Sequence, residues 1–234
     1  MINTLNLFLL IIKEQFRNFE DSRIGSKNKN MRYKPFMRNR EIMILEEIFR
    51  NLNPKNCLEW GSGFSTIYFS KFLLKDANWL SMEHCSDWAS KIKQININPK
   101  VNIKYIPPNN YPWSDSNNDG SYEDLKDYIE YPNNHAPYDF ILIDGRARPE
   151  CIKNSINLIT DMGIVVLHDA NRRFYHDNLE IFPNQVFFPI HGRKGLGIWI
   201  GTKKLEINKV LNITSHKNLE KLHLFFNNLK KRVN

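Results

Sequence analysis

The 234-residue sequence predicts one α/β domain, built on an open, mostly parallel sheet with helices on both faces and a C-terminal antiparallel hairpin. Three observations predict it. Strand and helix patterns alternate from residue 37 onward. Two nearly unbroken apolar runs, Tyr138 to Asp144 and Ile164 to His168, suit central strands covered on both faces. The last two strand patterns, Gln185 to Ile190 and Gly197 to Thr202, are joined by a glycine-bearing turn at Gly192 to Gly195.

In chain order, Ile42, Leu45, Phe49 and Leu52 recur at helical spacing, and Asn53-Pro54 stops that helix. Asn56 to Trp60 reads as the first strand, Gly61 to Gly63 as a turn, and Ser65 to Leu74 as a helix. A second strand runs from Trp79 to Glu83, a helix from Asp87 to Ile95, and a third strand from Val101 to Ile106. Between Pro107 and Pro137 lies a long polar excursion in which only Tyr122 to Tyr131 looks helical; excursions of this length often wall a substrate site. A helix from Pro149 to Thr160 links the two apolar strands, and Asn218 to Lys230 forms the last helix. Residues 1–36 are expected to be a helical and basic extension, 37–204 the main domain, and 205–234 a helical extension packed on it.

Hydrophobic residues make up 41% of the chain, enough for a sizeable core. The apolar stretch from Leu5 to Ile12 is too short to span a membrane and has no cleavage-site pattern, so a cytoplasmic protein is expected. Cys57, Cys85 and Cys151 are odd in number and widely spaced, which argues for free thiols over disulfides or a zinc site. The formal net charge is +8, concentrated in the Lys-rich C-terminal segment and in Lys27, Lys29, Arg32, Lys34, Arg38 and Arg40. Such a segment is either a solvated surface or a binding site for an anionic partner, nucleic acid included.

Ligands of open α/β sheets bind beyond the carboxyl ends of the strands, so the residues ending each strand carry the functional signal. Gly61 and Gly63 allow a tight turn and a close approach to a ligand, with Ser62 between them and the N–H groups of a helix start beyond. Glu83, about twenty residues later, ends the next strand, where a carboxylate can accept both hydroxyls of a ribose. A dinucleotide oxidoreductase would need glycine at Thr66. Asp144 and Asp169 close neighbouring strands with Asn171 just beyond, an oxygen-donor set suited to Mg²⁺ or Mn²⁺, or alternatively a helix cap and a loop anchor. His168 is either a general base or a structural histidine facing the sheet, and Arg146 and Arg148 either clamp an anionic substrate or pair with local acids.

The segments LEWGSGFST, LSMEH, YDFILIDGRAR and GIVVLHDANRR, in that order over residues 37–202, resemble the core of class I S-adenosylmethionine-dependent methyltransferases. The resemblance implies a Rossmann-like, seven-stranded sheet and a donor site formed by Glu59, Gly61, Ser62, Gly63, Ser65, Thr66, Glu83, His84 and Asp144. Glu59 would face the amino acid part of the donor. It also implies Asp144, Asp169 and Asn171 as ligands of a divalent cation, Asp144, His168 and Asp169 as catalytic groups, and Arg146, Arg148 and Arg172 at the substrate. LHDANRRFY and the preceding IDG are similar to the plant glucuronoxylan O-methyltransferases, which implies a hydroxyl of a sugar or glycan, or another small hydroxylated acceptor. Two other readings stay open: an RNA methyltransferase using the Lys27 to Arg40 segment, and a non-catalytic binding domain on the same fold.

Overall fold

The computed structural model describes residues 2–24, 33–110, 119–192 and 195–233. Helix α1 (Ile2–Ile24) precedes α2 (Asn39–Leu52), β1 (Asn56–Trp60), α3 (Phe64–Phe69) and β2 (Asn78–Glu83). Then follow α4 (Ser86–Ile95), β3 (Val101–Tyr105), α5 (Tyr122–Glu130), β4 (Tyr138–Ile143), α6 (Arg148–Leu158) and β5 (Ile159–His168). The hairpin β6 (Asn184–Phe188) and β7 (Ile198–Thr202) leads to α7 (Ile213–Val233). The strands form one seven-stranded sheet in the order β3-β2-β1-β4-β5-β7-β6. Neighbours from β3 to β5 pair in parallel, and β7 runs antiparallel to both β5 and β6.

The order reverses between β1 and β4, so a crevice opens where these two strands end. Trp60 lies opposite Met82 on one side and Ile143 on the other, and Ile143 lies opposite Leu167. This register sets Gly61, Glu83, Asp144 and Asp169 along one edge of the sheet. Both faces are buried. On one, α2 presents Ile42, Leu45, Ile48 and Phe49, and the Phe49 ring lies 4.5 Å from that of Phe140 and 5.6 Å from that of Trp79. On the other, Leu58, Ile141 and Val165 pack under Leu125 of α5 and Ile152 of α6.

Three elements differ from the sequence expectation. The helix after β1 ends at Phe69 and tightens into a 3₁₀ turn, Ser70–Phe72, instead of running to Leu74. Strand β5 starts at Ile159, five residues early, because Gly163 lets the chain lie against the Ile159 side chain and the Asp139 carbonyl; a Cβ there would come within 2.7 Å of Ile159. Helix α7 starts at Ile213, five residues before the predicted Asn218, where the Asn212 side chain accepts the Ser215 N–H as an N-cap. Its first turn is further tied down by His216, whose Nε2 lies 3.0 Å from Glu47 of α2.

Helix α1 packs on the body of the protein through half-buried Leu7, Leu10 and Ile11 and through a set of polar pairs. Lys13 and Arg17 both pair with the buried Glu46 of α2, Glu14 meets His223 of α7 at 2.7 Å, and Asn18 accepts from Asn39 at 2.8 Å. No helix among the described residues is long and apolar enough to cross a membrane. The three cysteines are free, with Cys57 and Cys151 buried and Cys85 exposed.

Candidate active site

Where β1 and β4 end, two glycines meet backbone to backbone. Gly61 has φ +99°, and a Cβ on it would sit 2.5 Å from the Gly145 Cα; one on Gly145 would sit 2.1 Å from the Tyr128 hydroxyl. Both positions therefore require glycine for packing, and Gly61 requires it for conformation as well. Gly61→Ala is expected to lower stability by about 1–3 kcal/mol, read from the midpoint of urea unfolding, because backbone atoms must move to admit the methyl group. Gly63 differs. Its backbone is extended, and a Cβ there would make only ordinary van der Waals contacts, 3.6 Å from Ser65 Oγ and 4.0 Å from Trp88 Nε1, so packing does not demand glycine at this position.

The loop is held from below. The Gly61 and Ser62 N–H groups both donate to the Met82 carbonyl, and Gly63 N–H donates to Thr66 Oγ1 at 2.8 Å. These three N–H groups are therefore occupied within the protein. Glu59 lies wholly inside, accepting from Ser65, Thr66, Ser81 and the Trp79 indole. Its assignment to the donor is corrected, together with those of Ser65 and Thr66: all three face one another beneath the loop, and the carboxylate fixes the start of α3. Burial pushes its pKa up to about 7, against the hydrogen bonds from Ser65, Thr66 and Ser81.

Glu83 stands across the crevice from this loop. One carboxylate oxygen accepts the N–H groups of His84 and Cys85 at 2.9 Å each, while the other meets only the Ser62 hydroxyl, at 3.3 Å, among the described residues. Two backbone donors thus aim the carboxylate and leave its second oxygen for a pair of hydroxyls. The His84 ring flanks it, with Nδ1 3.0 Å from the same Oε1. Trp88 donates its indole N–H to the Ser62 carbonyl at 2.6 Å and continues into an aromatic wall, in which Phe64 lies 5.8 Å from Trp88, 5.4 Å from Tyr33 and 5.4 Å from Phe36. A groove of about 490 Å³ runs along this wall to Leu196, with Arg38 at its rim. A crevice of about 510 Å³ lies behind it between α1 and α7, away from the strand ends, and its Glu14–His223 and His191–Glu220 pairs are closed on each other.

The far side of the crevice is a charge cluster. His168 Nδ1 lies 2.8 Å from Asp144 Oδ1, and Nε2 lies 3.7 Å from Glu41, itself anchored by the Gly197 N–H. Burial works against the imidazolium, but Asp144 and Glu41 outweigh it and raise the pKa to about 10. The two carboxylates beside it favour the imidazolium, which works against the role of general base. Asp144 pays for burial as well, yet His168, Arg148 and Arg146 hold its pKa below the usual carboxylate value.

Arg148 is buried at the centre of this cluster. Its guanidinium donates to the carbonyls of Gly145, His168 and Asp144, lies 3.4 Å from the Asp144 carboxylate and 3.6 Å from that of Asp169, and covers the Tyr175 ring. It is a structural clamp, not the substrate-facing group expected. Arg172 pairs with Asp169 at 3.1 Å and is partly exposed, and Arg146 is half-buried beside Asp144, so both still border the crevice. The proposed metal trio does not fit a divalent cation. Arg148 already sits between the two carboxylates, with Arg172 on Asp169 and the His168 cation on Asp144. Asp169 also accepts the Leu196 N–H, and Asn171 directs its amide to the Ile190 and Gly195 carbonyls.

Among solved structures, a methyltransferase-like protein from Silicibacter pomeroyi is 24% identical over 74% of this chain and 90% of its own, with a TM-score of 0.52. The O-methyltransferase from Bacillus cereus, determined in complex with SAH, is 17% identical over 85% and 90%, with a TM-score of 0.53. An inferred O-methyltransferase from Klebsiella pneumoniae is 14% identical over the same shares, with a TM-score of 0.56. The fold is the Rossmann-like fold of the class I methyltransferases. No protein-family model and no curated protein matches the sequence. At these identities the likeness extends to the methyltransferase fold alone, and chemistry has to be argued from the site.

Of the basic segment, Lys27, Lys29 and Arg32 lie outside the described residues. Lys34 pairs with Asp21, and Arg40 is buried with its guanidinium on the Pro189 carbonyl, which leaves Arg38 as the exposed cation of the described part. Sequence reading missed the aromatic wall, Glu41 and Tyr128. Glu41 alone had a local signal, since it stands three residues after the helix start and accepts the Arg38 N–H at 2.7 Å.

Proposed function

We propose that the protein is an S-adenosylmethionine-dependent O-methyltransferase whose acceptor is a hydroxyl on a sugar or glycan ring. The observation that carries the donor half is Glu83, aimed by two backbone N–H groups and standing opposite Ser62 of the glycine turn at the switch point of the sheet. Bound there, the sulfonium donor supplies an electrophilic methyl group. The chain's own part is to hold, orient and exclude water. Glu83 accepts the ribose hydroxyls, Ser62 gives up its 3.3 Å contact to them, and Trp88 and Phe64 shield the loop.

The acceptor half rests on the groove along Tyr33, Phe36, Phe64 and Leu196, where a ring can stack, and on Arg38 at its rim, a partner for an acidic glycan. Asp144 is the carboxylate that remains partly open to the crevice; it orients the acceptor hydroxyl by accepting its hydrogen bond and takes up the hydroxyl proton as the oxygen–carbon bond forms and the sulfur–carbon bond breaks. His168 and Arg148 keep that carboxylate ionised and fixed, so Asp144 is catalytic while they are positioning residues. Asp169, committed to Leu196, Arg172 and Arg148, shapes the floor of the groove. No step is assigned to a metal. The free thiols support a reducing, cytoplasmic setting.

Calorimetric titration with S-adenosylhomocysteine tests the donor half. Glu83→Ala is expected to weaken binding by about tenfold or more, the loss of a charge-assisted contact to the diol. Equal affinity in the variant would remove Glu83 from the site, and absence of binding in the native chain would favour a non-catalytic domain. A labelled-methyl screen over acidic and neutral glycans, small phenols and RNA then identifies the acceptor.

A further inference from the structure

The outer face of α1 is apolar, although the helix already packs by its other side. Leu5, Leu9, Ile12 and Phe16 are 60%, 54%, 49% and 60% exposed. Their spacing of four, three and four residues is a heptad seam, the pattern that keeps one stripe facing a partner helix. The domain cannot be that partner, because it holds α1 by the opposite side, through Lys13, Arg17, Glu14 and Asn18. Phe225 and Phe226 of α7 are exposed as well.

We propose that this seam is the interface of a homodimer, formed when α1 of one copy packs against α1 of a second about a two-fold axis. Size and charge support a second copy as the occupant. The exposed apolar side chains of α1 come to roughly 600 Å², at the top of the range for a monomer's largest patch and at the low end of one partner's share of a specific interface. A two-fold axis brings the same stripe onto itself, so the seam supplies its own complement. A membrane surface fits less well, because interfacial helices flank their apolar face with Lys and Arg. In α1, Lys13 and Arg17 are drawn inward to Glu46.

Sedimentation velocity of the full chain over a dilution series tests this. The expected result is a particle of twice 27.8 kDa that dissociates on dilution, and that Leu9→Asp combined with Phe16→Asp converts to monomer by raising the dissociation constant about a hundredfold or more. Unchanged far-UV dichroism would show that the variant is folded. If it does not fold, amide exchange on the native chain serves instead, with protection over residues 5–19 expected to rise with protein concentration. A monomer at every concentration would overturn the proposal, as would a dimer indifferent to the substitutions or lacking that protection. A monomer that co-sediments with phosphatidylserine–phosphatidylcholine vesicles would assign the face to a membrane and overturn it equally.

Discussion

Arg148→Ala is expected to destabilise the protein by about 3–5 kcal/mol, the scale for removing one partner from a buried ionic cluster. The buried guanidinium donates to three carbonyl oxygens, which lose that donor when the side chain is cut, and its charge is removed from between the Asp144 and Asp169 carboxylates, which keep His168 and Arg172 as their remaining ion-pair partners. Arg148→Lys keeps the charge but not the planar fork, so it should recover only part of the loss. Urea unfolding followed by tryptophan fluorescence measures both. A loss below about 1 kcal/mol for the alanine variant would mean that water takes the place of the guanidinium and that the cluster is not sealed.

Stability is also expected to peak on the acid side of neutrality, because two buried groups carry raised pKa values. Glu59 binds its proton up to about pH 7 in the native chain but only to about 4.5 when unfolded, so raising the pH through that window costs stability, by roughly 3 kcal/mol in total. His168 adds a second decline. Its contribution is complete below 6.5, the unfolded value, and disappears as the pH climbs toward about 10. Glu46 limits the acid side: burial opposes its charge, but Arg17, Lys13 and Tyr68 pull its pKa down to about 2, so its contribution is present above 4.5 and lost below. Denaturation midpoints across pH 3 to 10 should therefore fall from about pH 5 upward. Glu59→Gln should flatten the first decline and His168→Gln the second; a profile unaltered by either substitution would contradict the assignment.

The fold was legible because the sheet's information is local. Apolar runs such as Tyr138 to Asp144 announce buried strands, and glycine pairs announce the turns between them. The strand-end residues followed from the same logic, which placed Glu83 and Asp144 at the crevice. What the sequence concealed was direction and partnership. Glu59 sits one residue from Trp60, and nothing local shows that its carboxylate points beneath the loop, since that depends on Ser81 from another strand. Arg148 reads as a surface cation until β5 brings the His168 carbonyl to it across twenty positions. The aromatic wall joins Tyr33, Phe64 and Trp88, a set that no periodicity links.

The abutment of Gly61 on Gly145 bears on how the two halves of the crevice communicate. Neither segment has a side chain to cushion the other, so a displacement of one main chain is delivered directly to its neighbour. On the function proposed above, a ligand that moves the Gly61 turn would therefore shift Gly145 and with it the adjoining Asp144.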